Sequence, residues 1–331
     1  MAAQDVILRD AMDPRPSPPA DAAMPLFIVL NAASGHADAR EVRQTIADVL
    51  NTAKREHVVL MAERGAAVAK VAAEAVALAK ARGGAVVAAG GDGTINAVAQ
   101  AVLGSGRPFG VVPQGTFNYF SRTHGIPSDT EAATRALLRA SIRPAQVGLV
   151  NDRVFLVNAS LGLYPRVLEN REAHKKRFGR SRMVALGSAL ATLFSRHRTL
   201  HLRLSNATMD RNDAAQMLFV GNNALQIERI GAGGVSTDGR LAAILLAPID
   251  TVGVLRLIAH SVIGKLDALP AVECFDFTEV EVLPRRRSRR GQVKVATDGE
   301  VTWLEAPLRF RVSPEPLQLL TPCDEDAVPP E

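Results

Sequence analysis

The sequence predicts an α/β protein of two domains, a parallel-sheet domain followed by a β-rich, mostly antiparallel one. Three observations carry that prediction. From Pro25 onward, short apolar runs alternate with segments of helical periodicity, the pattern of a parallel sheet with helices on both faces. The glycine-rich run Gly90-Gly91-Asp92-Gly93-Thr94 falls where one apolar run gives way to a helix. Beyond Arg143 the texture changes to short strand-like runs separated by turn residues.

The first 24 residues carry Asp5, Asp10, Asp13, Asp21 and the stretch Pro14-Arg15-Pro16-Ser17-Pro18-Pro19. With no apolar region of signal-peptide length, they read as a disordered leader. Leu26 to Leu30 then reads as a strand and Ala37 to Lys54 as an amphipathic helix. His57 to Met61 is a second strand and Ala66 to Arg82 an alanine-rich helix. Ala85 to Ala89, apolar with small side chains, is a third strand, and Ile95, Val98, Ala99 and Val102 mark the helix after the glycine run. Phe109 to Pro113 is a fourth strand, and a helix follows from about Asp129 to Ala140. In the second half the expected strands include Val154 to Asn158, Leu200 to Leu204, Gln216 to Gly221, Leu241 to Leu246, Glu279 to Leu283, Gln292 to Thr297 and Leu308 to Val312, with one helical excursion between Tyr164 and His197. The expected domains are therefore 25–143 and 144–320, with the final strand a candidate to return to the first domain. The acidic, proline-containing stretch 321–331 reads as a disordered tail.

Hydrophobic residues make up 47% of the 331, enough for ordinary globular cores, and aromatics only 4%, so alanine and valine fill the interior. The net charge of +5 and pI near 9.5 suit an anionic partner. Cys274 and Cys323 stand far apart with no nearby Cys/His pair, which excludes a zinc motif or a disulfide framework and fits a reducing cytosol. Met183 to Phe194 and Leu241 to Ile249, the longest apolar stretches, fall well short of the ~20 residues that span a bilayer.

Three polar loops end strands of the first domain: Asn31-Ala32-Ala33-Ser34-Gly35, Gly90 to Asn96, and Pro113-Gln114-Gly115-Thr116-Phe117-Asn118. In parallel sheets, ligands lie outside the carboxyl ends of the strands. Glycines let backbone approach a polyphosphate with no Cβ in the way, and a following helix N-terminus directs N–H groups at the anion. Asp92, in the middle of that turn, would repel phosphate unless it handles a cation or fixes the loop by accepting backbone N–H bonds. Capping and plain strand-to-helix turns are the alternatives for each loop taken alone. The three loops are expected to converge on one crevice of the first domain, where the glycine run suits a polyphosphate.

Gly90-Gly91-Asp92-Gly93-Thr94 with Asn96, then Pro113-x-Gly115-Thr116-x-Asn118-x-Phe120, resembles the diacylglycerol kinase catalytic domain and its relatives, the sphingosine, ceramide and bacterial lipid kinases. The likeness runs from about Pro25 to Leu320. Asn158-Ala159-Ser160-Leu161-Gly162-Leu163-Tyr164-Pro165, Val220-Gly221-Asn222-Asn223, Thr237-Asp238-Gly239-Arg240-Leu241 and Thr297-Asp298-Gly299-Glu300 follow in the family order. The resemblance implies an ATP-binding α/β domain, a β-rich lipid-binding domain, and a site in the cleft between them. It implies that Asn31, Ser34, Gly35, Gly90, Gly91, Asp92, Gly93, Thr94, Asn96, Gly115, Thr116 and Asn118 hold the nucleotide. Asp298 and Glu300 match the family's acidic pair, with Glu300 favoured as proton acceptor, Asp298 as its partner, and Asp92 joining them as catalytic. Asp238 resembles the aspartate of a structural magnesium site completed by the carbonyls of Val235 and Arg240. An Asp-Gly turn is the plain alternative for both Asp238 and Asp298.

Three positions depart from the family pattern. Ala32 replaces a proline, Met61 stands where many relatives have a nucleotide-contacting threonine, and Gln146 stands where an aspartate is common. The basic stretches His174 to Arg182 and Arg285 to Arg290 suit anionic headgroups or a solvated surface; no aromatic platform accompanies the second, which argues against nucleic acid there. The expected protein is a cytoplasmic, Mg²⁺- and ATP-dependent lipid kinase acting on a diacylglycerol-like or long-chain-base lipid, peripheral at the inner membrane face, and compatible with a homodimer. An NAD kinase-like enzyme, whose second loop differs from Pro113 to Phe120, and a catalytically silent nucleotide or lipid sensor are the alternatives.

Overall fold

The computed structural model describes residues 24–32, 38–63, 67–162, 199–229, 237–250, 253, 256, 260, 268–285 and 291–329. Ser34, Gly35 and Val235 of the expected site, the Tyr164 to His197 excursion with its basic stretch, Arg286 to Arg290 and nearly all of the leader lie outside them. The chain divides into two compact units, residues 1–147 with 313–331, and residues 148–312.

In the first unit β1 (Leu26–Asn31), α1 (Ala39–Thr52), β2 (His57–Ala62), α2 (Val68–Arg82), β3 (Ala85–Gly90), α3 (Asp92–Val102), β4 (Phe109–Pro113), α4 (Tyr119–Thr123), α5 (Thr130–Leu138) and β5 (Ser141–Ala145) follow one another. The sheet order is β2-β1-β3-β4, then the chain's last strand Leu317–Thr321, then β5. Neighbours run parallel except the last strand against β5. Strands β1, β3 and β4 are buried along their whole length, which accounts for their unbroken apolar composition. Local chemistry starts two of the helices. Asp38 accepts the N–H of Arg40 ahead of α1, and Asp129 accepts that of Ala132 ahead of α5.

The stretch expected to be a disordered tail is instead held to this unit as far as it is described. Arg139, at the end of α5, pairs with Glu325 at 2.9 Å and Asp326 at 2.7 Å, and the N–H of Val328 donates to the Gly125 carbonyl at 3.0 Å. A mixed, mostly parallel sheet is thus completed by residues from the far end of the chain.

The second unit holds β6 (Gly148–Val150), β7 (Arg153–Phe155), β8 (Asn158–Gly162), β9 (Leu200–Ser205), β10 (Asp210–Ala215), β11 (Met217–Gly221), α6 (Ala224–Arg229), β12 (Leu241–Leu246), β13 (Val272–Phe277), β14 (Glu279–Pro284), β15 (Gln292–Thr297), β16 (Glu300–Glu305) and β17 (Leu308–Val312). They form two antiparallel sheets, β10-β9-β14-β17-β6-β7 and β13-β12-β11-β8-β15-β16. Phe155, Leu202 and Phe310 of the first sheet share one core with Leu161, Val220 and Val295 of the second, as the alternation of inward apolar and outward polar residues in a sandwich requires. The run Val154 to Asn158, expected as one strand, is two strands in different sheets. The chain bends at Leu156 and Val157 because their N–H groups turn toward a carboxylate from elsewhere in the unit.

Candidate functional site

In the first unit, the parallel register sets the ends of β1, β3 and β4, from which the three polar loops start, side by side. Gly90 at the end of β3 lies opposite Pro113 at the end of β4, and the N–H of Gln114 donates to the Gly90 carbonyl at 2.8 Å. Asn31, closing β1, donates from Nδ2 to Thr94 Oγ1 at 2.9 Å in a buried bond. Gly90 is required for that bond, since a Cβ there would lie 2.6 Å from Thr94 Cβ. The second and third loops are joined as well. Asp92, the first residue of α3, accepts the N–H of Asn118 in a long contact of 3.4 Å.

Asn118 sits in the left-handed region with φ +48°, which folds its side chain back on Gly115. Its Oδ1 accepts the Gly115 N–H at 3.1 Å and its Nδ2 donates to the Gly115 carbonyl at 2.9 Å. A Cβ on Gly115 would come within 2.6 Å of that Oδ1 and 3.2 Å of Gly91 Cα. Two glycine backbones therefore face each other beside the N-terminus of α3, where the N–H groups ahead of Thr94 have no carbonyl four residues back within the helix and Thr94 itself donates to the Gly91 carbonyl at 2.9 Å. Backbone with no intervening side chains beside a positive helix end is what a phosphate cradle needs.

Asn31, Thr94, Asn96 and Asn118 are all buried. The Asn31 and Thr94 side chains tie the end of β1 to α3 and the Asn118 side chain braces its own loop, while Gly91, Asp92, Gly93 and Gly115 are half-buried and Thr116 is exposed. Burial holds the Asp92 carboxyl above its usual range, and the Asn118 N–H opposes the shift. A cation beside Asp92 would favour its ionised form, so the residue fits a magnesium-bearing polyphosphate.

In the second unit, Asp298 and Gly299 link β15 to β16 with φ of +47° and +87°, the conformation of a two-residue hairpin turn that favours Asp-Gly. The carboxylate does more than turn the chain. Its oxygens accept the N–H groups of Leu156 at 2.7 Å, Val157 at 2.9 Å and Asn158 at 2.9 Å. Asn222 supports the same segment, donating from Nδ2 to the Leu156 carbonyl and from its backbone to Val157. Asn158 Nδ2 bonds Gln226 Oε1 at 2.9 Å, whose own N–H is taken by Asn223. Glu300, exposed, lies with Oε2 3.6 Å from Arg153 Nη2.

The expected acidic pair thus divides, with Asp298 engaged by backbone donors and Glu300 open to solvent beside an arginine. Arg153 escaped the sequence reading because an arginine at a strand start carries no periodic or motif signal. Near this segment Asn158 Oδ1, Ser160 Oγ and Thr297 Oγ1 are buried without a hydrogen-bond partner. Asp238 lies in an exposed bend, and the side chain of Arg240 pairs with Asp276. Among the described residues no group of three or more His, Cys, Asp or Glu gathers.

Residues 25–150 match the diacylglycerol kinase catalytic domain. Over 250 residues the chain is 33% identical to the probable lipid kinase YegS-like of Pseudomonas aeruginosa, an alignment that covers 72% of this chain and 76% of that one. The chain belongs to the diacylglycerol kinase catalytic-domain family. A crystal structure of a diacylglycerol kinase from Bacillus anthracis shares the fold with a TM-score of 0.62 at 19% identity, covering 90% of this chain and 96% of that one. An uncharacterized protein of Synechocystis, sll0036, is 25% identical over 246 residues, and there the alignment spans 55% of the relative's length. Against that family background, Met61 is half-buried in β2 opposite Leu30, and Gln146 is half-buried just before β6.

Proposed function

We propose that this kinase-family protein transfers the γ-phosphoryl group of ATP to a hydroxyl of a diacylglycerol-like or long-chain-base lipid at a membrane surface. The observation that carries the reading is the interlocked glycine cradle, in which Asn31 holds Thr94, Asp92 takes the Asn118 N–H, and Asn118 clamps Gly115. In this reading the amides of Gly91 and Gly93 and the start of α3 bind polyphosphate, and Thr116 adds an exposed hydroxyl. Asp92 would hold Mg²⁺, which supplies charge neutralisation on the phosphoryl oxygens.

Glu300 is the assigned proton acceptor. As the acceptor oxygen bonds to the γ-phosphorus its proton passes to that carboxylate, and the bond to the β-phosphate breaks to release ADP. Asp298 is a positioning residue, since its oxygens are already engaged by backbone donors. The orphaned Ser160 Oγ and Asn158 Oδ1 offer polar partners to the acceptor's headgroup. Purified protein with Mg²⁺, γ-labelled ATP and a panel of lipids tests the reading. Label should appear in a lipid phosphate; transfer to NAD instead, or nucleotide binding with no transfer to any lipid, would overturn it.

A further inference from the structure

We infer that the outer face of the β15–β16 hairpin, centred on Trp303 and Lys294, is the surface through which this protein seats on an anionic lipid bilayer. Trp303 is the sole tryptophan of the chain and stands 51% exposed on β16, the last strand of its sheet. Among the described residues the other exposed aromatic, Phe117, is stacked on Tyr119. Trp303 instead faces its cross-strand partner Lys294, whose ammonium lies 5.3 Å from the ring centroid. An indole with an apolar body, a polar N–H and a cation over its face matches the headgroup layer of a bilayer, where tryptophan concentrates.

The register says which face this is. Val301 pairs with Ala296, Ala296 with Ser160, Ser160 with Phe219 and Phe219 with Ile244. Side chains two residues apart share a face, so Trp303 and Lys294 lie on the side of the sheet that carries Phe219 and Ile244, opposite the sandwich core. The chain enters this hairpin through basic sequence. Exposed Arg285 closes β14, and the chain re-enters the described fold at Gly291, whose carbonyl accepts the Ala306 N–H just past β16. The sequence between them is Arg286-Arg287-Ser288-Arg289-Arg290. Among the described residues Glu305, and Asp276 of β13, which pairs with Arg240, are acidic side chains on that face, and Glu305 works against an anionic surface.

The choice of a lipid surface rests on the lipid-kinase reading above; the exposure and the charge do not. Vesicles of phosphatidylglycerol mixed with phosphatidylcholine, compared with phosphatidylcholine alone, provide the test. The full-length protein should co-sediment with the anionic vesicles and release with salt, while Trp303 emission moves to shorter wavelength and its quenching by acrylamide falls. Trp303→Ala should weaken vesicle binding about tenfold, Lys294→Ala about fivefold, and Glu305→Gln should strengthen it. Both alanine variants should leave transfer to a monomeric short-chain acceptor unchanged. Sedimentation with unmoved emission, no sedimentation at all, or protection of Trp303 by polyglutamate but not by vesicles would each overturn the proposal. Vesicle docking through Trp303 with no transfer to any lipid would uphold the surface and refute the proposed function, so the two fail separately.

Discussion

The Asp298 carboxylate takes three backbone N–H donors from one bend, whereas Glu300, two residues on, stands in solvent near Arg153. The two positions should therefore answer differently to neutral substitution. Asp298→Asn sets an amide NH₂ against an N–H donor and removes the charge from the remaining bonds, which should destabilise the protein by roughly 2–4 kcal/mol in urea unfolding. Glu300→Gln should leave the unfolding midpoint in place and abolish phosphoryl transfer. An Asp298→Asn protein of unchanged stability, or a Glu300→Gln protein of unchanged rate, would refute the respective assignment. Gly115 makes a third test. Its Ala variant must displace the Asn118 side chain and its two bonds, at a cost of about 1–3 kcal/mol, and calorimetry should show ADP affinity at least tenfold weaker. At this scale the Asp-Gly turn was legible, because positive φ at both turn residues is a local steric demand. The carboxylate's partners were not, since Leu156, Val157 and Asn158 contribute backbone groups that every residue type carries.

Between elements, the strand-end loops form one unit through single bonds. The buried Asn31–Thr94 bond joins the end of β1 to the first turn of α3. A double-mutant cycle with Asn31→Ala and Thr94→Val should return a coupling of about 1 kcal/mol, and strict additivity would mean the loops are held by something else. Helix α4, which follows the Asn118 loop, ends at His124, whose ring sits edge-on to Phe120 with centroids 4.7 Å apart. Burial pushes its pKa down to about 4 from an ordinary 6.5. The unfolded chain then binds the proton more readily than the folded one, so His124 contributes stability above pH 6.5 that is lost as the pH falls toward 4. The loss should reach at most about 3 kcal/mol. Unfolding curves at pH 7.5 and 5 should differ by less in His124→Phe than in the wild-type protein. The alternation of strands and helices was legible here because buried parallel strands require continuous apolar runs. The division of Val154 to Asn158 into β7 and β8 was not, because both halves are apolar and the break comes from Asp298.

Across the whole molecule, the last strand completes the first sheet by lying between β4 and β5. A chain ending at Val312 should keep both sheets of the second unit and lose the cooperative unfolding of the first, read by urea denaturation with limited proteolysis. Equal protease resistance of residues 25–147 in the two chains would show the strand dispensable. Neither helix periodicity nor turn residues mark where a strand so late in the chain will pair; five apolar-rich residues fit any open slot of a sheet. What the sequence determined by itself was the order of strands, glycine turns and helices, together with the chemistry of the three loops, because backbone sterics, capping and apolar period act over a few neighbouring residues. The sequence already offered the last strand to the first domain; tertiary structure alone decided its slot between β4 and β5, that Asn31 reaches Thr94, and that Asp298 gathers the 156–158 bend. Those contacts join groups far apart along the backbone, and only the packed fold supplies the closure that brings them within hydrogen-bond reach.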